Sequence, residues 1–118
     1  MAQVEHVLAV VAVSDIEASR TWYTRLFGRD PDNNPMPNLV EWQVTDGGWV
    51  QVTEDRQRAG NGLLNLVVSD IEEGVQELRA SGLDPGEIVD ANKGVRLCAI
   101  ADPDNNTINL IGNFRVKY

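Results

Sequence analysis

The residue types best suited to catalysis are rare in this chain. It contains one histidine, His6, and one cysteine, Cys98. A single cysteine excludes an internal disulfide and leaves a thiolate metal cluster without ligands. Cys98 lies in an apolar stretch, which is typical of a small core residue rather than of a nucleophile. His6 or Glu41 could serve as a general base, but no second titratable partner is evident near either, and a histidine so close to the terminus is typical of the surface.

The composition limits the classes of function. The chain has 118 residues, of which 42% are hydrophobic and 24% charged, and its formal net charge is −8. This length and mixture predict one domain with a hydrophobic core. The negative charge argues against binding to nucleic acid or to anionic membranes. Because the chain shows neither a membrane-spanning apolar run nor a cleavable leader, we expect a cytoplasmic protein.

A five-residue repeat divides the chain into two modules. The sequence VSDIE occurs at residues 13–17 and again at residues 68–72. Each copy follows an apolar run, which predicts a buried strand, and precedes an amphipathic pattern that predicts a helix. Ser-x-x-Glu within each copy is a capping box, so the serine is predicted to cap the helix. We expect module one to span about residues 1–56 and module two about residues 60–118.

Each module continues with a strand, a turn and a strand. In module one LVEWQV and WVQVT flank DGG, and in module two VRLCAIA and TINLI flank DPDNN. A further weak strand is expected before each hairpin, near residues 29–32 and 86–90. The Pro- and Asn-rich loop at residues 30–38 is either a lid over a cavity or a rigid surface connection.

The order and spacing of three segments resemble the vicinal oxygen chelate superfamily, the group of glyoxalases, bleomycin resistance proteins and extradiol dioxygenases. The segments are SDIEASRTWYTRLFG after the first strand, GNGLLNLVVSDIE at the start of module two, and DPDNNTINLI near the end. The resemblance covers nearly the whole chain. It implies an α+β fold in which two tandem βαβββ modules form an open, U-shaped, eight-stranded mixed sheet around a cavity, with the helices outside. It also implies a homodimer.

The resemblance also identifies the positions that would bind a metal ion. In metal-dependent members, His, Glu or Gln side chains occupy matched strand positions, and these fall here on Leu8, Gln51, Leu63 and Asn109. Leucine offers no lone pair, and two neutral amides do not hold a divalent transition metal tightly. A register shift of two would recruit His6 as one ligand at most. We therefore expect no metal, no other cofactor and no catalytic residue at these positions.

The resemblance also predicts which side chains face the cavity, since successive strand side chains alternate between the two faces of a sheet. The expected ligand-binding residues are His6, Leu8, Glu41, Gln43, Trp49, Gln51, Leu63, Asn65, Arg96 and Asn109, and Cys98 is expected on the same face. Their mixture of apolar, amide and charged groups suits a small organic ligand. Trp49 either offers its ring for stacking or is an ordinary core aromatic beside the Gly-Gly turn.

Three functions are compatible with these residues. The first is a metal-free protein that sequesters an aromatic or cationic small molecule, similar to the drug-binding resistance proteins of the superfamily. Trp49, the negative charge and the missing metal ligands favour it. The second is a lyase, isomerase or dioxygenase with a non-standard site that uses His6 or Glu41 as a base. The third is a scaffold or regulatory dimer with a vestigial cavity.

Overall fold

The computed structural model describes residues 2–114. Within this range the chain folds into eight β-strands and two α-helices, with a short 3₁₀ helix before the seventh strand. In chain order they are β1 (Val7–Val13), α1 (Ile16–Phe27), β2 (Asn33–Met36), β3 (Leu39–Thr45), β4 (Gly48–Glu54), β5 (Leu63–Val67), α2 (Ile71–Ala80), β6 (Val89–Asp90), the 3₁₀ helix (Asn92–Gly94), β7 (Arg96–Ala101) and β8 (Thr107–Gly112).

The strands form two four-stranded mixed sheets with the same internal order, β1-β4-β3-β2 and β5-β8-β7-β6. In each sheet the first strand of the module pairs in parallel with the last, and the other pairings are antiparallel. The predicted α+β fold of two βαβββ modules is therefore confirmed. The eight strands lie in two open sheets that approach each other at the edge strands β1 and β5.

The VSDIE repeat begins a helix in both modules, but through its aspartate. Asp15 is the N-cap of α1, and its Oδ1 accepts the backbone N–H groups of Glu17 and Ala18 at 3.0 and 3.2 Å. Asp70 caps α2 and accepts the N–H of Glu73 at 3.1 Å. The prediction that the serines cap the helices is wrong by one residue, because each helix begins at the isoleucine of the repeat.

The aromatic side chains of module one pack together beneath α1. Tyr23 and Trp42 are fully buried, and their ring centroids lie 6.3 Å apart. Phe27 lies 5.2 Å from Trp42, centroid to centroid. The indole N–H of Trp42 donates to the carbonyl of Arg29 at 3.0 Å, so the buried ring has its polar group satisfied. This packing fixes α1 on its sheet.

Residues 30–38 are held against β3 and do not form a lid. Residues 33–36 are β2, which pairs with β3. Just before it, Asp32 donates its backbone N–H to the carbonyl of Glu41 at 2.9 Å and accepts the N–H of Gln43 on its side chain at 2.7 Å. The lid interpretation is therefore wrong, and the predicted strand near residues 29–32 lies a few residues later in the chain. The counterpart in module two is the two-residue strand β6.

The DPDNN turn between β7 and β8 joins the two modules. We call the side chains of Asp102, Asp104 and Asn106 the inter-module clasp. The buried amide oxygen of Asn106 accepts the N–H groups of Gly60 and Gly62 at 3.0 and 2.7 Å. Its amide nitrogen donates to the carbonyl of Ala12 in β1 at 2.9 Å and to Asp102 at 2.8 Å. The side chain of Asn106 thus connects β1, β8 and the linker between the modules (residues 55–62).

The two aspartates of the clasp bind the start of module one. The hydroxyl of Tyr23 on α1 donates to Asp102 Oδ2 at 2.7 Å, and the backbone N–H of Ser14 donates to Asp104 Oδ2 at 2.9 Å. Burial, and then the hydrogen bond to a carboxylate, raise the pKa of Tyr23 above its ordinary value. The phenol therefore stays neutral and acts as a donor. Among residues 2–114, no helix is long and apolar enough to cross a bilayer.

Candidate functional site

The strands of module one present most of the predicted site residues on one face. The register of the β1–β4 pair places Leu8 opposite Trp49, and that of the β3–β4 pair places Glu41 opposite Gln51 and Gln43 opposite Trp49. Paired residues share a face of the sheet. The intervening residues Val40, Trp42, Val50 and Val52 are buried beneath α1. The predicted residues therefore lie on the side of the sheet that the helix leaves uncovered.

Module two presents a matching set on its own uncovered side. Leu63 is opposite Thr107 and Asn65 is opposite Asn109 in the β5–β8 pair. The amide nitrogen of Asn109 donates to the amide oxygen of Asn65 at 3.0 Å. The uncovered sides of the two sheets form a surface that we call the helix-free face. Its residues are Leu8, Val10, Glu41, Gln43, Trp49, Gln51, Leu63, Asn65, Val67 and Asn109.

Two of the residues expected on this face, Cys98 and Arg96, lie on the opposite side of the sheet. Cys98 is paired with Leu110 on the helix-covered side, where it is buried. Arg96 lies on that side too, because its guanidinium contacts Glu72 of α2 at 3.1 Å. The expectation that Arg96 and Cys98 face the cavity is wrong, since β7 is apolar on both faces and its alternation does not define which one is buried. His6 precedes β1 and is exposed.

Cys98 lies in a setting that disfavours the thiolate. Its sulfur lies 3.2 Å from the carbonyl oxygen of Gly86. Burial raises the pKa of the Cys98 thiol, and the nearby charge of Arg79 opposes this only in part. The thiol is therefore a core group and not an activated nucleophile.

The helix-free face carries one carboxylate in a fixed position. Glu41 Oε2 accepts the amide N–H of Gln51 at 2.7 Å, and its Oε1 accepts the amide N–H of Asn33 at 3.0 Å. The neighbouring Gln43 donates its amide to the carbonyl of Asp46 at 2.9 Å. Both carboxylate oxygens of Glu41 are thus held by neutral donors, on the same face of the sheet as Trp49 of the neighbouring strand.

The centre of the face is apolar and uncovered. Leu8, Val10, Leu63 and Val67 are 50%, 58%, 67% and 58% exposed, although all four lie within strands. Large aliphatic side chains in strands are usually buried, so contiguous exposed ones indicate a surface that another molecule covers. Trp49 is half-buried at the edge of this apolar area.

A cleft of about 480 Å³ opens where the β3–β4 hairpin faces β5. It brings Gln43 of module one together with Asn65 of module two. Phe27 and Arg29 also line this junction cleft. Sequence reasoning missed these two residues, although their position on either side of the glycine that ends α1 is a signal that they lie at an end of the sheet. The guanidinium of Arg29 is held by the carbonyl of Gln43 at 2.6 Å.

A second cleft of similar volume lies between β1, β4 and the linker. Val10 and Ala12 supply one wall, and Arg58, Asn61 and Gly62 supply the other. None of the predicted ligand-binding residues lines it. The polar sequence of the linker was the available signal, but it does not show which strand the linker faces.

The four positions that would hold a metal ion do not fit one. Leu8 and Leu63 have no donor atom. The amide groups of Gln51 and Asn109 are engaged with Glu41 and Asn65. Throughout residues 2–114, no three His, Cys, Asp or Glu side chains are grouped so that they could hold a metal ion. The side chains at these positions are therefore two aliphatic groups and two engaged neutral amides.

The fold has close matches among solved structures. A glyoxalase/bleomycin resistance protein from Catenulispora acidiphila DSM 44928 is 27% identical to the chain with a TM-score of 0.85, over 91% of this chain and 96% of that one. A lactoylglutathione lyase from Agrobacterium tumefaciens is 14% identical with a TM-score of 0.76, over 91% and 92%. TnmS3, an antibiotic-binding protein from Streptomyces sp. CB03234, is 21% identical with a TM-score of 0.74, over 95% and 96%.

No protein-family model matches the chain, and no curated protein matches it either. The solved structures are glyoxalase and bleomycin resistance proteins, which fit the vicinal oxygen chelate superfamily. The resemblance that the three sequence segments suggested is therefore confirmed at the level of the fold.

Proposed function

We propose that this chain, which has the fold of the vicinal oxygen chelate superfamily, is a metal-free protein that binds a small organic molecule on its helix-free face. One observation carries the proposal. Leu8, Gln51, Leu63 and Asn109 occupy the metal-ligand positions of the fold, and the amides of Gln51 and Asn109 are already engaged with neighbouring side chains. Chemistry that depends on a metal at these four positions has no ligands to support it.

The ligand is an aromatic or cationic compound. Trp49 offers a flat ring, and Glu41 provides a carboxylate one strand away on the same face. A planar cation would gain both stacking and charge pairing there. The exposed side chains of Leu8, Val10, Leu63 and Val67 would cover its apolar part. An antibiotic-binding protein among the structures of similar fold supports this class of function.

The binding unit is a homodimer in the cytoplasm. The exposed aliphatic side chains of both sheets form an apolar surface that an organic ligand of ordinary size would cover only in part. A second copy of the chain would cover the remainder and deepen the open face into a cleft. Sedimentation measurements with and without ligand test this part of the proposal.

An enzymatic role with Glu41 as a general base is less well supported. Both of its carboxylate oxygens already accept hydrogen bonds, from the side-chain amides of Asn33 and Gln51. His6 is exposed and outside the strands, so it offers no paired acid. The binding function needs neither group to titrate.

Titration with proflavine, a planar aromatic cation, tests the proposal. We expect binding at the helix-free face, and we expect Trp49→Ala to weaken it by roughly fivefold to tenfold because stacking is lost. Trp22→Phe removes a tryptophan on α1 and is the matched control. Equal affinity in the wild type and in Trp49→Ala would contradict the proposal.

The metal-free state is tested separately. Protein purified without chelators should contain no zinc, nickel, iron or manganese in stoichiometric amounts when its metal content is measured by mass spectrometry. One equivalent of any of these metals would contradict this half of the proposal, whatever the proflavine result.

A further inference from the structure

A third pocket lies on the helix-covered side of the sheets, between the end of α1 and α2, and it adjoins the junction cleft, with which it shares Phe27, Leu66 and Val68. Its volume is about 220 Å³. Leu26, Phe27, Leu66, Val68, Leu78 and Leu110 supply its apolar lining. A cavity of about 150 Å³ with such a lining can bind benzene, so this interhelix pocket is large enough for one aromatic ring with a short substituent.

Gly74 leaves the floor of the interhelix pocket open. It lies inside α2, where glycine destabilises a helix relative to alanine. A Cβ added there would lie 3.5 Å from Leu110 Cδ1 and 4.0 Å from Val68 Cγ2, which are ordinary contact distances. Neither sterics nor a positive φ requires glycine at this position. Its structural consequence is the space that a side chain would otherwise fill.

An acidic cleft of about 350 Å³ adjoins the pocket and shares Val68, Gly74 and Glu77 with it. Asp70 and Glu73 line the rest of this cleft. None of these three carboxylates forms an ion pair with a Lys or Arg side chain of residues 2–114. Arg25 lies at the α1 side of the pocket, so a cation inside it would be directed towards α2.

We propose that the interhelix pocket binds a small primary aromatic amine, with its ring in the apolar pocket and its ammonium group in the acidic cleft. The volume of the pocket favours a single aromatic ring, and the carboxylates of Glu73 and Glu77, which form no ion pair within residues 2–114, favour a positively charged group. None of the residues that define the helix-free face lines this pocket, so the proposal does not depend on the function proposed for that face.

Phenethylamine is the probe, followed by two-dimensional NMR of the labelled full-length chain. For a ligand of this size we expect a dissociation constant of about 1 mM. The saturable shifts should include the amides of Gly74 and Leu78, which line this pocket and not the junction cleft, and the indole N–H signal of Trp49 should not move. Glu73→Gln combined with Glu77→Gln should weaken binding roughly fivefold, because two partly exposed charges are removed. Gly74→Leu should abolish binding by filling the pocket.

Matched controls keep the result interpretable. Glu87→Gln removes an exposed charge outside both clefts and should leave the affinity unchanged. Gly74→Ala adds only a methyl group and is used if Gly74→Leu does not fold; it should weaken binding while stabilising α2. 2-Phenylethanol has the same ring but no ammonium group. If it binds as tightly as phenethylamine, the proposed role of the acidic cleft is wrong. Shifts confined to Trp49 and its neighbours, or no saturable shift at all, would overturn the site.

Discussion

Ser19 places a hydroxyl in the buried contact between α1 and the sheet of module one. Its side chain is fully buried, and its Oγ has no hydrogen-bond partner. A buried polar group without a partner costs free energy on folding, because it gives up its hydrogen bonds to water. Serine is also a poorer helix former than alanine. The position therefore needs a small residue but not its hydroxyl.

We expect Ser19→Ala to raise the free energy of unfolding by about 1 kcal/mol, since it removes the unsatisfied hydroxyl and leaves the packing unchanged. Urea denaturation measures the change. Ser69→Ala, at an exposed position outside the helices, is the control and should change the stability by less than about 0.5 kcal/mol. Destabilisation by Ser19→Ala would contradict this expectation and would show that the Ser19 hydroxyl forms a stabilising hydrogen bond.

Single residues also decide the chemistry of the helix-free face. A histidine at Leu8 or Leu63 would bring an imidazole, a metal ligand, to a position that the resemblance to the vicinal oxygen chelate superfamily associates with metal binding. The leucines instead leave exposed apolar surface. The proposed organic-ligand site therefore depends on the identity of a few strand side chains and not on the fold alone.

The helix starts show how closely local structure follows from local sequence. VSDIE predicts a cap in both modules, and both helices begin within it. The pattern does not distinguish a serine cap from an aspartate cap one residue later, because both are good N-cap residues. Tertiary contacts decide: the backbone N–H of Ser14 is engaged by Asp104, and the next residue caps the helix.

Asp15→Ala should therefore lower the free energy of unfolding by about 1 kcal/mol, because two backbone N–H groups of α1 lose their acceptor. Ser14→Ala should change it by less than about 0.5 kcal/mol, since only the backbone of Ser14 is used. Thermal and urea denaturation of the pair measure both values. A larger loss of unfolding free energy in Ser14→Ala than in Asp15→Ala would indicate that Ser14, and not Asp15, caps α1.

Strand bounds and strand faces were not equally predictable. The apolar runs located β3, β4, β5 and β8 to within one residue, because alternation and turn residues mark them clearly. The face of β7 was predicted wrongly. Its even-numbered apolar residues, Cys98 and Ile100, are buried, while Leu97 and Ala99 are equally suited to burial by type. The buried face of β7 is decided only by its pairing with β8 and by the packing of α2 over the sheet.

At the scale of the whole molecule, the two modules are similar in topology but differ in how they are held. Each sheet has the same strand order, and each first strand lies at an edge. The junction is maintained by side chains of a single turn, the inter-module clasp. The resemblance in sequence included that turn, but it did not show the role of the turn, because the partners of Asn106 in β1 and in the linker lie 44 to 94 residues away in the chain.

The clasp also constrains the linker. Asn106 Oδ1 would lie only 2.8 Å from a Cβ added at Gly62, so the close approach of linker and turn depends on glycine at this position. The clasp places β5 beside β1 and thereby sets the relative position of the two halves of the helix-free face. Substitutions in the clasp should therefore alter the proposed ligand site without changing any residue of the helix-free face.

Asn106→Ala is therefore expected to lower the free energy of unfolding by about 3 kcal/mol or more, because buried N–H and C=O groups of both modules lose their partner. All three tryptophans, Trp22, Trp42 and Trp49, belong to module one, so fluorescence reports on that module while far-UV circular dichroism reports on both. We expect the two urea transitions to coincide in the wild type and to separate in Asn106→Ala, as the modules begin to unfold independently.

Asn61→Ala, exposed in the same linker region, is the control and should keep a single transition. Coincident transitions and a loss below about 1 kcal/mol in Asn106→Ala would show that packing between the sheets, and not the clasp, joins the modules.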